Sequence, residues 1–448
     1  MSDEDREPTA TRRPTPGEGS NMRSVLFAAA GLAAAVSAAA AQDIRVGVLY
    51  DLSGPFAAAG SVACSVGAQI AVEMMNEKGG VLGKHKIVAV NADAQSKADV
   101  AINEAERLIN AEKVDILLGV YSSAHAVPID QRVDAQKKIF WITTAVATAV
   151  VKDRNLQYTF RPTVHSDQYG LVSTDFVAAM AKPKLGMDPK DVKVAIIYED
   201  GPYGAGVASS NEIGAQRQGM QIVLKEGYSA TAPDLSSLVT KLRRARPDVI
   251  LHTGYNPDIT LFLRQSREQG LRFKALIGHG AGYGQIDKLI ETFGKDVDHV
   301  FNVDPVAAQL LDPKTLKPGV PELTAELVRR YKAKTGAKEV PPHASMGFNQ
   351  SWILFDKVLP VAIEKYGSAS PEAIRKAALD VDIPVGGTVQ GYGVKFFPPG
   401  SQLAGQNERS SPVVMQYVGG VTKIAWPREL SNIDPVVPLP ATSPYAMR

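Results

Sequence analysis

The sequence predicts an α/β protein of two similar lobes, each a parallel sheet flanked by helices. Three observations carry this prediction. Short apolar runs rich in Val and Ile alternate with amphipathic segments along most of the chain. A distinctive strand-to-helix turn occurs twice. The composition, 45% hydrophobic and 21% charged over 448 residues, suits a globular protein large enough for more than one domain.

The predicted strands are Ile44–Tyr50, Lys86–Asn91, Asp115–Val120, Ile139–Thr144, Val192–Tyr198, Gln221–Tyr228, Asp248–Thr253 and Lys274–Gly278. Continuous apolar runs of this length are expected where a strand is buried on both faces. Helical spacing follows in Ala98–Ala111, Leu235–Ala245 and Asp258–Gln269, with Gly270 as a C-cap. Beyond residue 300 the reading gives helices within Leu316–Gly336, Met346–Tyr366 and Pro371–Leu379. A hairpin of Val413–Tyr417 and Val421–Trp426 comes next, and the Pro-rich end after it is expected to wrap the surface or fray.

After the first strand the chain reads Tyr50-Asp51-Leu52-Ser53-Gly54-Pro55-Phe56; after the fifth it reads Tyr198-Glu199-Asp200-Gly201-Pro202-Tyr203-Gly204. A second correspondence pairs Gly119-Val120-Tyr121-Ser122 with Thr253-Gly254-Tyr255-Asn256. Ligands of such sheets bind beyond the carboxyl ends of the strands. Two lobes facing each other there would enclose a cleft lined by Phe56, Tyr121, Tyr203 and Tyr255. Asp51, Glu199 and Asp200 read as helix-capping acids rather than a catalytic carboxylate set.

Residues 1–21 are polar and Pro-rich, and an apolar, Ala-rich stretch from Ser24 to Ala41 follows Met22-Arg23. This is the pattern of a cleaved secretory signal, with small residues at Ala39 and Ala41 and a candidate initiator at Met22. The expected location is therefore the periplasm. A net charge of +2 without a basic run argues against a nucleic-acid partner. The single Cys64 excludes an internal disulfide and reads as a buried helix residue beside Val62, Val66 and Ile70. Gly204-Ala205-Gly206 resembles a dinucleotide fingerprint, but five residues separate it from its strand, too far for the turn to cradle a pyrophosphate. The seven histidines are dispersed, and no nucleophile elbow or phosphate loop is present. No enzyme activity, cofactor or metal is expected.

Arg45-Val46-Gly47-Val48 through Ser53-Gly54-Pro55, then Gly60 and Asn76-Glu77-Lys78-Gly79-Gly80-Val81, resembles the leucine/isoleucine/valine-binding family, the periplasmic solute receptors of ATP-binding-cassette (ABC) importers. The similarity continues through Leu118–Ser123, Tyr203-Gly204-Ala205-Gly206 and Gly254-Tyr255-Asn256-Pro257, and covers about residues 43–425. It implies the type I periplasmic binding protein fold: two Rossmann-like lobes joined by a three-segment hinge that closes on ligand. Lobe one would be 43–162 plus 304–417, and lobe two 163–303 plus 418–448. It further implies a monomer that takes a carboxylate-bearing small molecule to a membrane permease. The loops Tyr121-Ser122-Ser123 and Ala145-Val146-Ala147-Thr148 would hold the carboxylate, with Ser123 and Thr148 as donors. An extracellular sensor coupled to a signalling partner would use the same fold.

One position departs from the family. Amino-acid-binding members carry an acid in the loop that here reads Gly278-His279-Gly280-Ala281-Gly282, with Gly280 at the acidic position. A buried ammonium without a countercharge is strongly disfavoured. An aliphatic or aromatic organic acid is therefore expected over a branched-chain amino acid, with His279 available to a distal hydroxyl or carbonyl. N-terminal sequencing of the exported protein should begin at Gln42; a chain starting upstream of Ala41 would overturn the signal assignment.

Overall fold

The computed structural model describes residues 42–447; the leader and signal segment lie outside the described residues. β1 (Ile44–Tyr50), β2 (Ile87–Asp93), β3 (Ile116–Gly119), β4 (Ile139–Ile142) and β5 (Thr159–Phe160) form a parallel sheet of order β2-β1-β3-β4-β5. The second sheet contains β6 (Lys193–Glu199), β7 (Gln221–Tyr228), β8 (Val249–Thr253), β9 (Ala275–His279), β10 (Phe301–Asp304), β11 (Val413–Val418) and β12 (Val421–Trp426). Its order is β12-β11-β10-β9-β8-β6-β7, parallel from β7 to β10, with the last two strands antiparallel. All eight predicted strands of the first 280 residues are present. β5 and β10 were not foreseen: β5 is two residues long, and β10 (Phe-Asn-Val-Asp) alternates polar with apolar side chains although all four are buried.

The order explains the sequence repeat. β1 lies between β2 and β3, and β6 lies between β7 and β8, so the same reversal of strand order occurs in both sheets. Such a switch point opens a crevice at the carboxyl ends of the strands. The two repeated turns leave β1 and β6 there. After β6, Glu199 caps the following helix by accepting from the Gly201 and Gly204 N–H groups. Gly204 lies inside helix Pro202–Arg217, where a Cβ would overlap the Glu199 carbonyl, so this glycine serves helix-on-strand packing.

The chain passes between the sheets three times: after β5, after β10 and before β11. The expected boundary at 417/418 needs correction, because it cuts β11, which pairs with β10 and β12 in the second sheet. Helix Pro342–Trp352, in the segment between β10 and β11, packs on helix Val62–Glu77 of the first lobe. First and third passages are laced by buried side chains. Gln406 Nε2 donates to Thr163 O, and Asn407 Nδ2 donates to Pro162 O. Gln390 Nε2 donates to Val306 O and ties in the second passage. The C-terminal segment is docked rather than frayed: Tyr445 is buried and stacks on Phe273, ring centroids 5.5 Å apart.

Cys64 is buried in helix Val62–Glu77 with its Sγ 2.7 Å from Thr144 Oγ1, and burial pushes its thiol up to about 11. That helix and Pro342–Trp352 cross at two glycines. A Cβ on Gly67 would overlap the Ala344 carbonyl, and one on Gly347 would overlap that of Cys64. Gly347→Ala should therefore cost about 1–3 kcal/mol by overpacking. Denaturant unfolding checks this, and an unchanged midpoint would show that the helices do not need the close approach.

Candidate ligand-binding site

The facing strand ends border a narrow cavity of about 20 Å³, room for little more than one water molecule. Tyr121, Ser123, Thr144 and Val146 line it from the first lobe, and Tyr203, Tyr255 and Ala281 from the second. Tyr169, His343 and Met346 complete the wall from helices that adjoin the passages between lobes.

Each aromatic is held by its hydroxyl or its neighbours. Tyr121 donates to Ala59 O at 2.5 Å, and Tyr203 donates to His279 O at 2.7 Å. Tyr255 begins helix Asn256–Glu268, its N–H bonded to Asp258 Oδ1, and its ring lies 5.6 Å from that of Tyr203. Burial pushes the hydroxyls of Tyr121, Tyr169, Tyr203 and Tyr255 well above their ordinary value, so all four remain neutral. Ser123 opens helix Ser123–Ala135, and its Oγ accepts from the Ala147 N–H at 3.0 Å. That bond leaves the hydroxyl hydrogen of Ser123 for another acceptor.

Five of the ten residues expected from sequence line the cavity: Tyr121, Ser123, Val146, Tyr203 and Tyr255. Phe56 stands behind them, its ring 4.4 Å from that of Tyr255. Ser122 does not line the cavity; its Oγ caps helix Ser123–Ala135 through the Ala124 N–H. Ala145 is packed in the first lobe's core, and its carbonyl accepts from Arg161 Nη1. Thr148 must be corrected as a donor to ligand: its hydroxyl donates to Asp167 Oδ1 at 2.7 Å and faces Ser166 and His165. His279 must be corrected too. Its Nδ1 lies 3.0 Å from His252 O and its Nε2 3.2 Å from Ser173 Oγ, so the imidazole is fixed inside the second lobe. Only a nitrogen bearing hydrogen can pair with a carbonyl, which places the proton on Nδ1.

Thr144, Tyr169, Ala281, His343 and Met346 were missed by sequence reasoning. Thr144 and Ala281 adjoin segments already singled out and could have been included. The other three come from helices whose apolar residues read as ordinary core.

Gly280 has φ 39° and ψ −138°, a conformation that disfavours any side chain. A Cβ there would lie 3.2 Å from Tyr203 Oη and 3.4 Å from Asp304 Oδ1. Asp304, the last residue of β10, is fully buried. Its Oδ1 accepts from Tyr169 Oη at 2.7 Å. Its Oδ2 lies 3.3 Å from His343 Nε2 and has no hydrogen-bond partner of good geometry.

The periplasmic binding protein family profile matches residues 43–407. A Leu/Ile/Val-binding protein homolog 7 of Brucella abortus (strain 2308) is 36% identical over 392 residues, covering 87% of this chain and 93% of the relative. The chain belongs to the periplasmic binding protein family. Members of the family bind small-molecule ligands and work with ABC-transporter permeases, and family membership implies export to the periplasm. Two solved structures share the fold. One is the branched-chain amino acid transporter substrate-binding protein LivJ of Streptococcus pneumoniae, in complex with isoleucine (TM-score 0.66, 19% identity, 86% of this chain and 100% of that one). The other is a solute-binding protein of an ABC transporter from Rhodopseudomonas palustris BisB5, in complex with 3,4-dihydroxybenzoic acid (TM-score 0.67, 18% identity, 85% and 95%).

The buried His279 has a stability consequence. Burial lowers its imidazole to about 4, against about 6.5 in an unfolded chain. Between those values the unfolded state binds a proton that the folded state excludes, so stability falls as pH drops from about 6.5 towards 4. Replacing His279 with the non-titrating Asn should flatten this acid limb by on the order of 3 kcal/mol. Urea titrations at several pH values check it, and identical slopes in both proteins would refute the assignment.

Proposed function

We propose that this protein captures a small carboxylate-bearing ligand between its two lobes and delivers it unchanged to an ABC-importer permease. The observation that carries the reading is the donor character of one end of an otherwise aromatic cavity. Ser123 Oγ accepts an amide hydrogen, which directs its own hydrogen towards an anionic acceptor, and it stands on a helix N-terminus that favours negative charge. Val146 lines the same cavity from the loop whose Ala147 N–H bonds to Ser123. Tyrosine rings supply the apolar remainder, while their bonded hydroxyls fix the ring positions.

Release without reaction fits the same geometry. A nucleophilic serine donates to a base, whereas the Ser123 Oγ pairs with an amide N–H. Lacing of the passages between lobes supports hinge closure, with ligand contacts from both sides holding the closed state.

Isothermal titration and thermal shift against a library of small carboxylates test the proposal. A true ligand should raise the melting temperature, because it binds the folded state only. Ser123→Ala should weaken that ligand by about tenfold to a hundredfold, the cost of about 1–3 kcal/mol for a lost hydrogen bond to a buried charge. Unchanged affinity in this variant, or a library in which only uncharged solutes bind, would sink the carboxylate reading.

A further inference from the structure

We propose that the second lobe carries a further binding site, a recess where Arg243, Arg246 and Arg272 receive a phosphate ester. This site is independent of the cleft and of the ligand held there. The recess has a volume of about 450 Å³, within the range of small-molecule sites, and Leu242, Leu271 and Met447 complete its wall.

Its place in the fold sets it apart. Helix Ser236–Ala245 and helix Asn256–Glu268 both end at the recess, and the chain then turns into β8 and β9. The recess therefore lies at the amino ends of those strands, whereas the cleft lies at their carboxyl ends. β8, five residues long, separates the two by about 17 Å.

Charge is unbalanced at the recess. Arginines elsewhere on this protein pair with carboxylates: Arg45 with Glu112, Arg132 with Glu106, Arg217 with Asp175 and Arg409 with Asp382. Acids near the recess in sequence serve other cations, Asp248 holding Lys274 and Asp296 holding Arg267. Among the described residues no carboxylate pairs with Arg243, Arg246 or Arg272, and Arg272 Nη1 donates only to the Leu271 carbonyl, at 3.1 Å. Three cations around one recess repel each other until an anion joins them.

The backbone points the same way. Arg246 has φ 49° and ψ 59°, left-handed geometry that favours glycine. The corresponding turn after helix Asn256–Glu268 does use glycine, Gly270 with φ 66°. Arg272 Nη1 lies 3.8 Å from the place a Gly270 Cβ would take, so that guanidinium folds back over the turn. A side chain is thus kept at 246 against the local preference, and it lines the recess.

Attraction to the helix ends accounts for only part of this cluster. Cations in a last turn complement the helix dipole, which covers Arg243 and Arg244 in helix Ser236–Ala245. Arg246 stands outside that helix as its cap, and Arg272 lies beyond the end of the other one. Guanidinium groups match phosphate oxygens through paired N–H donors. Met447, which is partly exposed, offers an apolar surface to the organic part of an ester.

The test is isothermal titration of the exported protein at low salt with phenyl phosphate and glycerol phosphate, with phenol and glycerol as controls. Both esters should bind and both controls should not, and affinity should fall as sodium chloride is raised. Arg246→Gly and Arg272→Gln should each weaken the esters by about tenfold or more, the loss of a charge-assisted hydrogen bond. The ligand-free melting temperature should hold in Arg272→Gln and hold or rise in Arg246→Gly, where glycine suits the left-handed turn. Co-sedimentation with phosphatidylglycerol vesicles, against phosphatidylcholine, distinguishes the source. Vesicle capture that both variants lose, with the soluble esters inert, would place the phosphate ester in a lipid headgroup. No binding of either ester or of vesicles, or binding that both variants leave intact, would overturn the site. A lower melting temperature in both variants with ester affinity unchanged would assign the arginines to the helix ends alone. None of these outcomes bears on the cleft, so the carboxylate reading stands or falls separately.

Discussion

The buried guanidinium of Arg161 is the interaction on which the cleft depends. Arg161 is the first residue beyond β5, and it is fully enclosed. Its Nη1 donates to the carbonyls of both Ala145 and Ala147, and its Nε donates to Gln406 Oε1. One side chain therefore joins the first passage between lobes, the third passage and the loop that carries Val146. Turning the 145 and 147 carbonyls towards Arg161 leaves the Ala147 N–H for Ser123, which in turn orients the serine hydroxyl. Burial lowers the guanidinium to about 9, with Asp130 the leading opposing influence, so it remains charged at neutral pH. A charge enclosed in this way is tolerated only where its hydrogen bonds are supplied by the fold. Those of Nη1 and Nε come from segments more than two hundred residues apart, which couples the hinge to the site, while Nη2 is buried without a partner.

Strand order makes the rest of the arrangement possible. A reversal at β1 in one sheet and at β6 in the other brings two equivalent crevices face to face. Neither crevice encloses a small molecule by itself; the second supplies Tyr203 and Tyr255 from its first and later turns, the first supplies Tyr121 from its later turn, and Phe56 braces Tyr255 from across the cleft. Close helix packing at Gly67 and Gly347 then fixes Pro342–Trp352, the helix that carries His343 and Met346, against the first lobe. The electrostatic pattern follows from this scaffold. Donors gather at the N-terminus of helix Ser123–Ala135, and a lone buried carboxylate sits at the end of β10.

Legibility of the site tracked the distance over which each residue's role is decided. Tyr121, Ser123, Val146, Tyr203 and Tyr255 stand at strand ends or in the turns beyond them, and such places are visible as motifs because the backbone there needs particular residues. Thr148 and His279 occupy equally plausible places in sequence. Their donors are engaged by Asp167 and His252, partners that spacing alone does not reveal. Gly280 leaves its loop without an acid, and the neighbouring strand β10 ends on one, Asp304. Asp304 lies twenty-four positions later in a four-residue strand whose alternating pattern resembles a turn.

What the sequence by itself determined is the kind of protein: alternating buried strands and amphipathic helices, a duplicated turn and membership of a binding-protein family. These follow from local periodicity and from an ordered series of motifs, both properties of the chain read along its length. Tertiary structure alone decided what the cleft contains. It placed Tyr169 and His343 in the wall, withdrew His279 into the second lobe, and set the Asp304 carboxylate beside the bare Cα of Gly280. The physical reason is that hydrogen-bond satisfaction and buried charge depend on which distant segments meet, and here the three passages between lobes determine those meetings.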